Sequence, residues 1–449
     1  MKKKFFIGAM ALLVSATSFA GGLLTNTNQN ATYLRNPARD AAIAIDGVYS
    51  NPAGVAFMPE GFHLSLSWQA AAQKRQMNVS NPLFMLNTEN QSKDRLFEGE
   101  TFAPVIPSFQ AAYVFNDKWS VSAQFAVGGG GGACEFANGL PMFEELIGGM
   151  AYQFGSMIGS SAYSLDQNLT GKQYFFGLQV GGTYKIADMV SVFGGLRTVM
   201  AKASYVGAIS NINIGGITAS SPIFQAMPGM AQYAALLSDY KLDCTQSDFG
   251  FTPILGVDVK LGDLNLAAKY EFRTKIAMEN EANNSANLAA LATTVPAVAV
   301  YGDGNIVRTD IPAYLALGAE YSFSEVRVAA GYHYFWDKDA KGSAIKAGDN
   351  SWEVVLGAEW DITDRWTISC GGQRTGLGFA DSDMSDTNFS TSSYGLSLGA
   401  AYKINDMLKL NAGYLHSMFD GREFTNANGT ACNYTRKSEA FGLSLDFTF

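Results

Sequence analysis

From Gly61 onward, apolar and polar residues take turns along the chain. Phe62, Leu64, Leu66 and Trp68 alternate with His63, Ser65, Ser67 and Gln69. Trp352, Val354, Leu356, Ala358, Trp360 and Ile362 alternate with Glu353, Val355, Gly357, Glu359 and Asp361, and the pattern returns from Tyr394 to Lys403. A strand sends successive side chains to opposite faces, so each segment has one greasy face and one small or charged face. A soluble sandwich alternates in the same way, with its greasy face inward, and the alternation alone does not separate the two.

The connections do. Six are very short and polar: Asn116-Asp117, Ala187-Asp188, Gly262-Asp263, Ser324-Glu325, Thr363-Asp364 and Asn405-Asp406. Long ones lie between them, at 79–102, 129–170, 211–242, 279–307, 338–349, 380–390 and 420–435. Strict alternation of short and long gives fourteen strands, six short turns and seven long loops. That asymmetry belongs to outer-membrane barrels, with short periplasmic turns and long outer loops. The expected fold is therefore all-β: a transmembrane antiparallel β-barrel of about 14 strands over residues 60–449. An even strand count puts both chain ends on the periplasmic side.

Aromatic residues recur beside the short turns: Tyr113, Phe115, Trp119, Tyr184, Tyr321, Phe323, Trp360, Trp366 and Tyr402. A girdle at the membrane–water interface belongs at that depth. The last strand carries Phe441, Leu443, Leu445, Phe447 and Phe449 at every second position. It resembles the signal read by the barrel insertion machinery during biogenesis.

One stretch breaks the pattern. Asn36-Pro37-Ala38 and Asn51-Pro52-Ala53 bracket a compact apolar run, Ala41 to Ile45, edged by Arg39, Asp40 and Asp46. Proline fixes φ and moves the preceding residue out of the helical region, so each triplet starts a new turn. The run between them is helix-friendly and has no strand alternation. Residues 21–59 are expected to form a small helical hatch plugging the lumen.

Composition narrows the setting. Charged residues are 16% of the 449 and the net charge is −9, which argues against nucleic acid as a partner. Lys2, Lys3 and Lys4, an apolar run from Phe5 to Val14 and the small-x-small site Ser18-Phe19-Ala20 read as an export signal over residues 1–20. The apolar run is half the roughly twenty residues that a spanning helix needs. The expected location is the outer membrane of a Gram-negative bacterium, crossed by strands and in contact with its lipid.

The hatch residues carry a family resemblance. Asp40-Ala41-Ala42, then Tyr49-Ser50-Asn51-Pro52-Ala53-Gly54 leading into Phe62–Trp68, resemble the outer-membrane long-chain fatty acid transporter family (FadL-type). The resemblance implies an N-terminal hatch, with the motif residues Asn36, Pro37, Asn51, Pro52, Ala53 and Gly54, inside a fourteen-stranded barrel. It implies passive uptake of hydrophobic molecules such as long-chain fatty acids, captured at the outer loops and released past the hatch or through the barrel wall. An outer-membrane porin, or a surface receptor or adhesin without a hydrophobic substrate, is the alternative. A monomer is expected, with no cofactor and no metal.

Candidate contacts follow. Met142, Phe143, Leu146, Ile147 and Met150 make one apolar helical face in the loop at 133–165, and Phe224, Met227, Met230, Tyr233 and Leu237 make another at 211–240. Exposed apolar patches mark binding sites and methionine adapts to irregular ligands, though two such helices also pack on each other. Among the inward charges, Lys269 and Arg273 are candidates to meet a ligand carboxylate; a lumenal salt-bridge network is the competing use for them. Gly128, Gly129 and Gly130 open a run of five glycines after the third strand, read as Trp119 to Val127. Glycine there marks a bulge or bend, or the flexible start of the loop at 129–170. In the family that the chain resembles, an inward kink in the third strand opens the wall, so pairing is expected to break at or shortly before Gly128.

Enzyme chemistry finds little footing. The three histidines are His63, His333 and His416, and no nucleophile elbow, zinc spacing or phosphate loop stands out, so no catalytic residue is assigned. A lipase site assembled from distant strands is left open. Export permits disulfides, and the loop cysteines Cys134, Cys244 and Cys432 could form one bridge whose connectivity is not deducible.

Overall fold

The computed structural model describes residues 24–25, 29–226, 234–292, 296–342, 348–381, 384–387 and 389–449. The expected export signal, residues 1–20, lies outside them. Fourteen of the described strands form a closed antiparallel barrel. In chain order they are β1 (Gly61–Ser80), β2 (Asp94–Val114), β3 (Trp119–Phe136), β4 (Tyr163–Ala187), β5 (Val190–Ile214), β6 (Tyr240–Leu261) and β7 (Leu264–Glu271). The second half is β8 (Tyr314–Phe323), β9 (Val326–Phe335), β10 (Ser351–Asp361), β11 (Trp366–Gly376), β12 (Ser393–Asn405), β13 (Leu408–Phe419) and β14 (Ala431–Thr448). Neighbours in sequence pair, and β1 closes on β14 from His63↔Thr448 to Ser80↔Ala431. The last strand turns Phe441, Leu443 and Leu445 outward, where they stay exposed. Trp119 packs on Tyr184 and Trp366 on Tyr402, each at 4.6 Å, beside the short turns where the girdle was expected.

The strands overrun the loop boundaries read from the sequence. β4 and β5 are 25 residues long, whereas crossing a bilayer takes about ten. The loops expected at 79–102 and 129–170 shrink to 81–93 and 137–162. The ladder continues above the membrane, where outward positions become charged, as at Lys74, Glu98 and Glu100, and the greasy alternation that signals a strand is lost. The loop expected at 279–307 likewise holds a short hairpin, Ala277–Ala282 with Ile306–Arg308, that extends the sheet beside β6.

The lumen is filled from the N-terminal side. Helix α1 (Ala31–Arg35) starts at Asn30, whose side chain accepts from Thr32 N at 2.9 Å. Helix α2 (Gly47–Ser50) and a 3-10 turn (Gly54–Phe57) follow. Between the two Asn-Pro-Ala triplets, Ala41 to Ile45 is a series of turns and the helical residues are Gly47–Ser50. The Asn36 side chain accepts from Ala38 N at 3.0 Å, and Arg39 folds onto Asp46 at 2.7 Å, so side chains hold these turns where a helix ladder would otherwise form.

Every strand of the second half offers this segment a glycine on its inner face. A Cβ at Gly318 or Gly331 would meet Asp40 at 2.6 and 2.1 Å, at Gly357 Asn36 Oδ1 at 1.8 Å, and at Gly371 Pro37 at 2.4 Å. At Gly399, Gly413 and Gly442 it would meet Arg35, Ala31 and Leu34 at 2.3, 2.6 and 2.9 Å. These glycines form a track on β8–β14 that lets the hatch lie against bare backbone.

The topology predicts a labelling pattern. Epitope tags inserted near Gly342 or Asn428 should bind antibody on intact cells, and a tag near Asp263 should bind only after permeabilisation. The opposite pattern would invert the barrel.

Candidate transport path

Between β2 and β3 the wall has an unpaired stretch. β2 and β3 pair from Val114↔Ser120 to Ser108↔Ala126, separate, and meet again at Thr101↔Cys134. Residues 102–107 of β2 thus face 127–133 of β3 without a shared register. Both sides of the gap are built by sequence. Pro104 and Pro107 have no N–H to give, which restricts proline to edge positions, and here they create an edge inside a closed barrel. Opposite them lies the glycine run, where β3 also bulges against β4 between Val127 and Gly129 and between Gly130 and Ala133. Gly130 has φ +73, and a Cβ there would stand 2.1 Å from the Gln173 carbonyl oxygen. The glycines therefore lie within β3, which continues to Phe136; they are not the beginning of a loop, and the strand does not stop at Val127.

A lumenal cavity of about 280 Å³ adjoins the gap, lined by Gly128–Gly130, Gln73, Arg75, Cys134, Tyr205 and Arg436 among others. On the outer face of the same wall lies a cleft of about 490 Å³. Ala72, Gln73, Thr101, Ser438 and Glu439 line both. Arg75 donates from Nε to Gln73 Oε1 and from Nη1 to the Thr387 carbonyl, each at 2.9 Å. Arg436 stacks its guanidinium over Phe419 at 4.4 Å, and its buried Nε has no hydrogen-bond partner among the described residues.

Above the lumen the outer loops interlock. Helix α3 (Pro141–Ile158) buries Leu146, Ile147, Met150 and Phe154 against Tyr163, Ile209, Ile214 and Phe224. Phe154 and Phe224 lie 6.4 Å apart, so the two loop segments do pack on each other. Met142, Phe143 and Leu146 also line an apolar cavity of about 80 Å³ with Leu288, Leu291 and Tyr240. Met227, Met230 and Tyr233 lie outside the described residues. Buried carboxylates fasten the base of α3. Glu144 takes Arg95 and Asn87, each at 2.8 Å. Asp386 accepts from Met142 N at 2.7 Å and from the Tyr434 hydroxyl at 2.5 Å. Burial, with Glu145 close by, pushes the Asp386 carboxyl up to about 6, and burial also raises that of Glu144.

The residues of the two Asn-Pro-Ala triplets tie the N-terminal segment to the barrel wall. Asn51 Oδ1 accepts from Gly54 N at 3.2 Å while its amide donates to Asp258 at 2.5 Å. The Pro52 carbonyl takes Thr183 and the Ala53 carbonyl takes Ser191, at 3.0 and 2.7 Å. A Cβ on Gly54 would sit 2.3 Å from the Asn51 amide. Asn36 donates to Glu359, which also binds Arg35 at 3.0 Å and Arg39 at 3.3 Å. His333 bridges Asp40 and Glu353 at 2.9 and 3.0 Å. Lys269, a candidate for a ligand carboxylate, instead pairs with Glu271 at 2.9 Å, donates to the Tyr49 carbonyl at 2.8 Å and lies under the Tyr49 ring. Arg273 donates to the Asp339 carbonyl in the outer loops. Neither lines the lumenal cavity beside the gap. The cationic residues that do are Arg75, Arg436 and Lys172, which alternation alone did not single out.

The four cysteines are free thiols. Cys134 and Cys244 belong to β3 and β6, not to loops, and Cys134 lines the lumenal cavity. Among the described residues no group of His, Cys, Asp and Glu could hold a metal ion.

The architecture has solved counterparts. A Pseudomonas aeruginosa FadL homologue superposes with TM-score 0.67 at 16% identity, over 96% of this chain and 100% of that one. The Pseudomonas putida toluene transporter TodX gives 0.59 at 13% identity, over 98% and 99%. The Ralstonia pickettii toluene transporter TbuX gives 0.54 at 15% identity, over 92% and 98%. No curated protein sequence matches the chain. The family model described as outer membrane protein transport protein (OMPP1/FadL/TodX) matches residues 11–449, so the chain belongs to that family of outer-membrane transport proteins.

Proposed function

We propose that the protein carries out passive uptake of hydrophobic molecules such as long-chain fatty acids, taken up at the outer loops and released sideways through the gap between β2 and β3. The observation that carries this reading is the shared lining of the inner cavity and the outer cleft at a point where the wall lacks pairing. A hydrophobic solute leaving there goes from a partly apolar cavity into lipid and avoids the aqueous periplasmic mouth. Gly128, Gly129 and Gly130 are the lateral opening in this reading. Met142, Phe143, Leu146 and Phe224 belong to the capture region, which explains why apolar residues are concentrated in loops that face water. The hatch keeps small polar solutes out and distinguishes the protein from a porin.

Chain length tests this. Each methylene removed from a saturated fatty acid should weaken binding to the purified protein by up to about 0.8 kcal/mol, or about fourfold, while the group is buried. Calorimetric titration across a homologous series measures the increment. Affinity indifferent to chain length would exclude a fatty-acid-like ligand.

A further inference from the structure

The outer faces of β1 and β14 change character at one height. On β1 the outward residues are Phe62, Leu64, Leu66, Trp68, Ala70 and Ala72, and then Lys74. On β14, Phe447, Leu445, Leu443 and Phe441 give way to Glu439 and Lys437. From Phe62 to Ala72 the chain runs about 34 Å along the strand. At the usual barrel tilt that is an apolar band about 25 Å tall, the height of the hydrocarbon region. Lys74 and Lys437 stand at its upper edge, directly opposed in register. Lys74 is held in place by Glu98 at 2.9 Å and Glu100 at 3.2 Å.

The next rung of the same ladder is Arg75 opposite Arg436, and the strand period turns both inward. At one height, therefore, the wall carries two guanidiniums on its lumenal side, and outside it two ammoniums set among the carboxylates of Glu98, Glu100, Glu135 and Glu439. The unpaired residues 102–107 of β2 begin just below, since Glu100 pairs with Lys74 and Thr101 with Gln73. Gln73, Thr101 and Ser438 give the gap a polar upper rim that touches both cavity and cleft. A carboxylate placed at the guanidiniums, which match it with forked hydrogen bonds, directs its alkyl tail down past Ile106, Val127 and Leu415 toward the gap. That is also the orientation of an amphiphile in the outer leaflet, head at the interface and tail in hydrocarbon.

We propose that Arg75 and Arg436 inside the wall, with Lys74 and Lys437 outside it, form a headgroup rail along which an anionic amphiphile leaves the lumen tail first, its carboxylate staying at one depth. The proposal rests on reading the gap as the exit. It names the substrate class, an alkyl chain with an acidic head, and sets it apart from neutral hydrocarbons. The rail spares the head from crossing hydrocarbon, where an unpaired charge is costly.

The test compares hexadecanoate with hexadecan-1-ol, both tritiated, using the full mature protein in vesicles. Arg436→Gln should weaken hexadecanoate binding about tenfold and leave the alcohol within about twofold, and Arg436→Lys should recover part of the loss. Lys74→Gln with Lys437→Gln should slow transfer of the acid to the surrounding bilayer about fivefold, without slowing the alcohol. Heat-shifted mobility on gels confirms that each variant is a folded barrel. Equal loss for acid and alcohol, or no loss for either, overturns the rail while uptake stands. A wild-type protein that transfers neither probe overturns the uptake reading itself, and the rail with it.

Discussion

Gly357→Val is expected to unseat the hatch and to raise small-solute conductance in planar bilayers about tenfold, because a barrel of this size encloses an aqueous lumen once its plug is gone. The added Cβ alone would lie 1.8 Å from Asn36 Oδ1. Gly357 cannot retreat, since its backbone is paired with Ala329 on one side and Gly371 on the other. Displacing Asn36 also disturbs Glu359, the carboxylate that Arg35 and Arg39 share. Deleting residues 21–59 should raise leakage further while the barrel still assembles. If both proteins insert and neither conducts more than wild type, residues 29–59 do not act as a plug.

Gly128→Trp is expected to cut uptake of a long-chain fatty acid about tenfold, equivalent to about 1.4 kcal/mol on the barrier, with binding at the outer loops retained. The nearest atom to a Cβ at Gly128 is the Phe175 carbonyl oxygen at 3.7 Å, so a side chain is accommodated without pulling β3 from β4. The indole then occupies the cavity beside the gap. Gly130 behaves differently: with φ +73 and Gln173 O at 2.1 Å, Gly130→Val strains the strand and should reduce the amount of folded barrel. Valine at Gly128, Gly129 and Gly130 together would therefore not restore pairing cleanly. Normal uptake by a correctly inserted Gly128→Trp protein would move the exit elsewhere.

The barrel was legible because two independent signals agreed. Alternation gives each strand a lipid face, and turns such as Gly262-Asp263 fix where strands reverse. The aromatic pairs Trp119–Tyr184 and Trp366–Tyr402 then mark the membrane boundary. Strand lengths were harder to read, because above the membrane the outward residues are polar and the periodic signal fades although the backbone ladder continues. The gap was half legible. Five glycines were visible, but their meaning depends on Pro104 and Pro107 in the facing strand, where proline marks a local edge or a bulge. Lys269 and Arg75 show the limit most plainly. Alternation places both on the inner face, yet only the three-dimensional arrangement puts Lys269 under the Tyr49 ring and Arg75 beside the cavity. Arg75 meets Arg436 only through closure of the first strand on the last, a pairing that no local pattern announces.

The glycine track also dictates an order of assembly. The segment it receives, residues 31–41, precedes every strand in the chain, whereas the track lies wholly on β8–β14. Contacts so distant in sequence carry a large loop-closure entropy and form late. Leu34 can meet Gly442 only when β14 is in the wall, held between β13 and β1. A segment that precedes every strand in the chain is thus the last to find its place. A barrel arrested before its final strand zips up would have an unoccupied lumen and would leak, so loss of the Phe449 end should endanger the cell through permeability as well as through missing protein.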